Sequence, residues 1–181
     1  YNITFDHCEI YKVMHDAYDL DGKDLILTGC IARDNGTEEP MNNFKFWQKG
    51  VKLINCISTN CKWGLTGGLE MKVYNSIFAS NGSTIRAGTA QVDANRSTEF
   101  VNCIFYNNTN GLAGAKDAVL HPNSDYNITF NSGNLPGLGT HTREIDPMFA
   151  DAGAANYMLQ KGSSAIDAGL TKAGIPEKDI R

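Results

Sequence analysis

The residues best suited to chemistry in this chain come one to a segment. Asp19 (Tyr18-Asp19-Leu20), Lys45 (Phe44-Lys45-Phe46), Thr66 (Leu65-Thr66-Gly67) and Arg86 (Ile85-Arg86-Ala87) each stand next to apolar residues. In extended chain such neighbours point inward and the residue between them points out. If the four segments are successive parallel strands about 4.8 Å apart, the four side chains form one outward column. A carboxylate then lies one spacing from an amine, and a guanidinium two spacings beyond it. An anionic sugar chain lying across the strands meets all four. Trp47, two residues after Lys45, offers an aromatic platform, although it equally suits a core. Arg86, with Lys49 and Lys62, can hold further carboxylates of such a chain, and solvated surface is the plain alternative for Lys49 and Lys62.

Three acids crowd the first of these segments: Asp16, Asp19 and Asp21. Hard cations such as Ca²⁺ take several oxygen ligands, so this cluster is a candidate metal site, with a further ligand expected from an earlier turn of chain. Competing readings are turn capping by Asp16 and Asp21, and a surface ion pair between Asp19 and Lys45 worth under ~1 kcal/mol. Asp34, Glu38 and Glu39 form a second acidic patch, read as solvated loop. The histidines His7, His121 and His141 join no catalytic or metal spacing. Asn127-Ile128-Thr129 is a glycosylation-type triplet of the kind expected by chance in an Asn-rich chain.

A repeat aligns these segments. Five times an apolar run leads into a small or polar residue, then Cys or Ser, then a large apolar residue: Cys8, Cys30, Cys56, Ser76 and Cys103 mark the copies, spaced by 22, 26, 20 and 27 residues. Recurrence at that period signals a solenoid, in which one copy cannot bury its own apolar face. Each copy opens with a β-prone run, such as Leu25-Ile26-Leu27 or Val51-Lys52-Leu53-Ile54, and Asn or Gly follows the Cys/Ser by a few residues, where a corner needs left-handed backbone. Two or three short strands per copy with no helical period describe an all-β, right-handed parallel β-helix, right-handed being the default for parallel crossovers. The marker cysteines act as small buried apolar side chains, and the odd count of 5 argues against a disulfide framework.

At 181 residues, 41% hydrophobic and net charge −4, the chain can bury a core and carries no basic footprint for nucleic acid. No apolar run reaches the ~20 residues of a membrane-spanning helix. Rungs are expected over 1–121, and a loop-rich closing segment packed on them over 122–181, with Pro122 to His141 read as loop. Tyr1 opens inside a strand-like run and Arg181 ends abruptly, as expected of a piece of a longer protein. A monomer is expected.

Two resemblances follow from these motifs. Asp146-Pro147-Met148-Phe149, Asn156-Tyr157-Met158-Leu159 and Ser163-Ser164-Ala165-Ile166-Asp167-Ala168-Gly169 resemble the end segment of secreted bacterial right-handed β-helix proteins, with Ser164 where Pro is usual. That likeness implies a secreted or cell-surface bacterial protein. His15-Asp16-Ala17-Tyr18-Asp19-Leu20 and Asn42-Asn43-Phe44-Lys45-Phe46-Trp47 resemble the polysaccharide lyase family 9 pectate lyases, with His15 and Asn43 as departures. This second likeness implies calcium at Asp16 and Asp19 and a catalytic base at Lys45. The matching chemistry is β-elimination of a uronate. Calcium on the sugar carboxylate acidifies the neighbouring C–H, and a lysine of lowered pKa removes the proton. The alternatives are a non-catalytic glycan-binding or adhesin module and, third, a glycoside hydrolase. The hydrolase needs a carboxylate pair across a cleft, and no second acidic strand aligns to supply one.

Overall fold

In a computed structural model that describes residues 3–36, 41–87, 97–114, 117–172 and 174–178, the chain winds into a parallel β-solenoid of about five turns. Each full turn contributes one strand to each of three parallel sheets, and the second sheet alone is extended by two further strands. The first sheet stacks β1 (Thr4–Asp6), β4 (Ile26–Thr28), β7 (Lys52–Ile54), β10 (Lys72–Tyr74) and β13 (Glu99–Val101). The second runs β2 (Glu9–Tyr11), β5 (Ile31–Gly36), β8 (Ile57–Cys61), β11 (Ile77–Ala79), β14 (Ile104–Tyr106), β16 (Ile128–Phe130) and β17 (Arg143–Glu144). The third holds β3 (Tyr18–Leu20), β6 (Asn42–Lys49), β9 (Trp63–Leu69), β12 (Ser83–Ala87) and β15 (Asn110–Gly114).

The corner between the first and second sheets explains the repeat. Asn55, Asn75 and Asn102 hold left-handed backbone there, with φ of 54°, 49° and 58°, beside Gly29 and His7 in the outer turns. Asn tolerates that region better than other residues carrying a Cβ. The next residue turns inward. Cys30, Cys56, Ser76 and Cys103 are buried, and the Cys56 thiol donates to the carbonyls of Ile54 and, one turn back, Leu27, both at 3.4 Å. A small side chain with a weak donor therefore fills the corner and satisfies carbonyls of two turns. Cys8 departs from the expectation of a buried filler. It lies on the first described turn and is exposed.

A second inner ladder follows the second sheet. Asn35, Cys61, Asn81 and Asn108 are buried in successive turns, where Asn81 N donates to Asn108 Oδ1 at 3.0 Å and Asn108 Nδ2 to the Phe78 carbonyl at 2.8 Å. Between the ladders lies the apolar core, stacked from Leu25, Leu27, Phe44, Phe46, Leu53, Leu65, Val73, Phe78, Ile85, Phe100 and Phe105.

The stretch expected as loop carries β16, whose Ile128, Thr129 and Phe130 pair in register with Ile104, Phe105 and Tyr106. Its corner residue is Asn127 rather than Cys or Ser. Asn127 Oδ1 accepts from Cys103 N at 2.9 Å and its Nδ2 donates to the Phe100 carbonyl at 3.0 Å, so the repeat runs on behind a changed marker. This burial also removes Asn127 as a glycosylation acceptor. Leu120, Leu135 and Leu138 join the core beyond the last full turn.

The final segment lies along the side of the solenoid. An antiparallel hairpin of β18 (Phe149–Asp151) and β19 (Asn156–Leu159) places Phe149 and Tyr157 on the outer face of the second sheet, against Ile57, Ile77, Ala79, Ile104 and Tyr106. The Tyr157 hydroxyl meets Thr59 Oγ1 at 2.7 Å. Farther on, the Leu170 and Pro176 carbonyls accept from Asn102 and Asn75 at 3.0 and 2.9 Å. Corner asparagines thus serve twice, turning the chain and tethering the strap laid across them.

Candidate functional site

The third sheet puts the expected column in register. Asp19 pairs with Lys45, Lys45 with Thr66, and Thr66 with Arg86. The alternation that predicted their direction also holds: Tyr18, Phe44, Leu65 and Ile85 are buried in the core, while Asp19 and Arg86 are exposed and Lys45 and Thr66 half-buried.

At one end of the column the Lys45 ammonium lies between two carboxylates, 2.7 Å from Asp16 Oδ2 and 3.0 Å from Asp19 Oδ2. The Asp16 side chain is only 1% exposed and that of Lys45 16%. Asp16 Oδ1 accepts from both the backbone N (3.0 Å) and the side-chain Nδ2 (2.5 Å) of Asn42. Thr66 Oγ1 donates to Asn42 Oδ1. A chain of contacts therefore runs Thr66, Asn42, Asp16, Lys45 across three turns. Burial pushes the Asp16 carboxyl up, but the Asn42 and Lys45 hydrogen bonds outweigh it and hold the carboxyl below its ordinary value. Burial likewise pushes Lys45 down, and the two carboxylates more than reverse that, leaving the ammonium harder to deprotonate than usual.

Trp47 completes this end. It is 63% exposed, which rules out the core placement. Its Nε1 donates to Asp19 Oδ1 at 2.6 Å and the Lys45 ammonium lies 4.7 Å from its ring centroid, so two contacts fix the ring on the surface. At the other end, Arg86 lies over the Trp63 ring at 4.4 Å and Lys62 at 4.9 Å. Lys49 sits apart from this arrangement, paired with Glu70 at 3.5 Å.

The acidic cluster does not fit a calcium ion. Asp16 has both oxygens engaged by Asn42 and Lys45, Asp19 has both engaged by Trp47 and Lys45, and Asp21 Oδ1 accepts from Gln48 Nε2 at 2.9 Å. A cation here meets an ammonium already held between the carboxylates it needs. Among the described residues no group of three or more His, Cys, Asp or Glu side chains converges to hold a metal. In the second acidic patch Asp34 bonds Arg33 at 2.7 Å and Asn60 at 2.8 Å, while Glu38 and Glu39 lie outside the described residues.

Two participants escaped the sequence reading. Asn42 was legible only as part of a resemblance, because nothing in one sequence says that its amide meets Asp16 across a turn. Trp63 offered a signal in its place next to Lys62, but the partnership with Arg86 depends on turn length. No protein-family model, curated protein or solved structure matches this chain. The likeness to pectate lyases therefore rests on the quoted residues alone.

Proposed function

We propose that the outer face of the third sheet binds a polysaccharide chain, with Trp47 as the stacking platform and Arg86 as the contact for an acidic sugar of the polyuronate type. The observation that carries this reading is the pinned, exposed Trp47 ring on the same face as the column that ends in Arg86. An aromatic ring held rigid in the unbound state loses little freedom when a sugar stacks on it. Lys45 acts here as the post that orients Trp47 and Asp19. A secreted or surface setting, implied by the resemblance of the closing segment, belongs to the same proposal.

Uronate elimination with Lys45 as base is a second reading, favoured by the in-register pairing of Lys45 with both Asp19 and Thr66 on the sugar-facing column. It requires the ammonium to give up its proton against two carboxylates, so turnover on this reading is confined to alkaline pH. One experiment separates the two readings. The protein is titrated with polygalacturonate by calorimetry while unsaturated product is followed in the ultraviolet, with and without a calcium chelator. Binding that survives the chelator, is lost in Trp47→Ala and produces no unsaturated sugar supports the binding face. Unsaturated product that disappears in Lys45→Ala establishes the lyase. Absence of both binding and product overturns both readings.

A further inference from the structure

The outward column of the third sheet carries opposite charge at its two ends. Asp16 and Asp19 hold Lys45 at 2.7 and 3.0 Å, and Asp19 also accepts from the Trp47 ring Nε1 at 2.6 Å. Asp21 follows Leu20, the ladder partner of Phe46, so it lies beside Trp47, and its Oδ1 accepts from Gln48 Nε2 at 2.9 Å. Lys49 adds no net charge here, because Glu70 lies 3.5 Å from it. The aromatic platform is thus set among three carboxylates and one ammonium.

The other end is positive. Arg86 pairs in register with Thr66 on one side and Ala113 on the other, and among the described residues no carboxylate meets it. Its guanidinium is 4.4 Å from the Trp63 ring centroid. A guanidinium held over an indole spends its face on the ring and keeps its edge donors for a carboxylate. Two strand spacings, about 10 Å, separate Arg86 from Lys45 in the ladder. That span exceeds the ~8 Å over which charges stay coupled in physiological salt, so the ends act on a bound chain as separate subsites.

We propose that this face reads an alternating chain, with a neutral sugar on Trp47 and a uronate at Arg86, and disfavours a chain that carries a carboxylate on every sugar. The inference rests on the glycan-binding reading above and narrows its ligand. A sugar stacked on Trp47 brings its ring-edge substituents beside Asp19 and Asp21. A hydroxyl there donates to carboxylate oxygens that still have lone pairs to offer. A uronate carboxylate there meets like charge while stacking strips its water, and Arg86 is too distant to neutralise it. Repulsion at one subsite and attraction at the other together set the specificity.

The test is calorimetry at low ionic strength on the full chain with three hexasaccharides: hyaluronan, in which glucuronate alternates with a neutral N-acetylated sugar, oligogalacturonate, and uncharged cellohexaose. Hyaluronan is expected to bind about tenfold more tightly than either of the others. Asp21→Asn should strengthen oligogalacturonate binding about threefold and leave hyaluronan unchanged, a response that a difference in sugar shape does not produce. Arg86→Ala should reduce hyaluronan to the level of cellohexaose. Oligogalacturonate binding as tightly as hyaluronan, or staying weak in Asp21→Asn, overturns the inference and leaves the glycan-binding reading standing. Cellohexaose matching hyaluronan in the unaltered protein likewise overturns it. Failure of all three to bind overturns the glycan-binding reading itself.

Discussion

Asp16 and Lys45 are 29 residues apart in sequence, and their charged atoms meet at 2.7 Å, with the carboxylate almost entirely shielded from water. The contact makes Asp16 a structural anchor for the next turn. It also sets the ionisation of Lys45 against the role of a base at neutral pH.

Removing the Asp16 charge leaves Lys45 with the more exposed Asp19 as its one carboxylate partner and leaves the Asn42 donors facing a poorer acceptor. Asp16→Asn is expected to lower unfolding stability by about 2 kcal/mol, read as a reduced urea midpoint at unchanged slope. Asp21→Asn, which disturbs only the Gln48 contact, shifts the midpoint by under ~0.5 kcal/mol.

The two shifts bound the pH range from both sides. Asp16 is held lower in the folded chain than in the unfolded one, so its contribution is complete above the unfolded carboxylate value near ~3.9 and fades as pH falls through the lower folded value. Lys45 is held higher, so its contribution is complete below about 10.4 and is lost as pH rises through its raised folded value. Urea midpoints measured across pH should show both edges, and Lys45→Met should weaken the alkaline one, to which the Tyr18 and Tyr74 hydroxyls, pushed up by burial, also contribute.

Trp47 is mostly exposed, so Trp47→Ala should cost little stability while weakening glycan binding about tenfold, some 1.4 kcal/mol. Calorimetry and a thermal melt on the same sample separate the two effects. A loss of stability comparable to that of Asp16→Asn would show the ring to be structural.

The strap depends on Tyr157. Tyr157→Phe removes only the hydroxyl contact to Thr59 and is expected to cost about 1 kcal/mol. Tyr157→Ala also empties the contact with Phe149, and costs about 3 kcal/mol. Limited proteolysis should then cut within 145–178 in the alanine variant first, while the solenoid turns stay protected.

The chain's periodicity made the turns legible because burial repeats. A corner that faces inward accepts only a small side chain, and Cys or Ser recurs where it must. The same reasoning explains the missed turn at β16, where Asn127 meets the same carbonyl and amide demands with a different side chain. The outward column was legible for a related reason, since apolar flanks fix which way Asp19, Lys45, Thr66 and Arg86 point.

Sequence alone determined the parallel β-solenoid and which residues share the outward column of its third sheet, since both follow from local alternation and a repeated burial pattern. Only the tertiary structure decided what those residues do to one another. Each carboxylate in the cluster meets a donor from the next turn, Trp47 stands in solvent, and the last segment runs back along the second sheet. Those outcomes depend on distances between residues more than twenty positions apart, which are set by the lengths of the intervening corners and by which hydrogen-bonding group has no nearer partner.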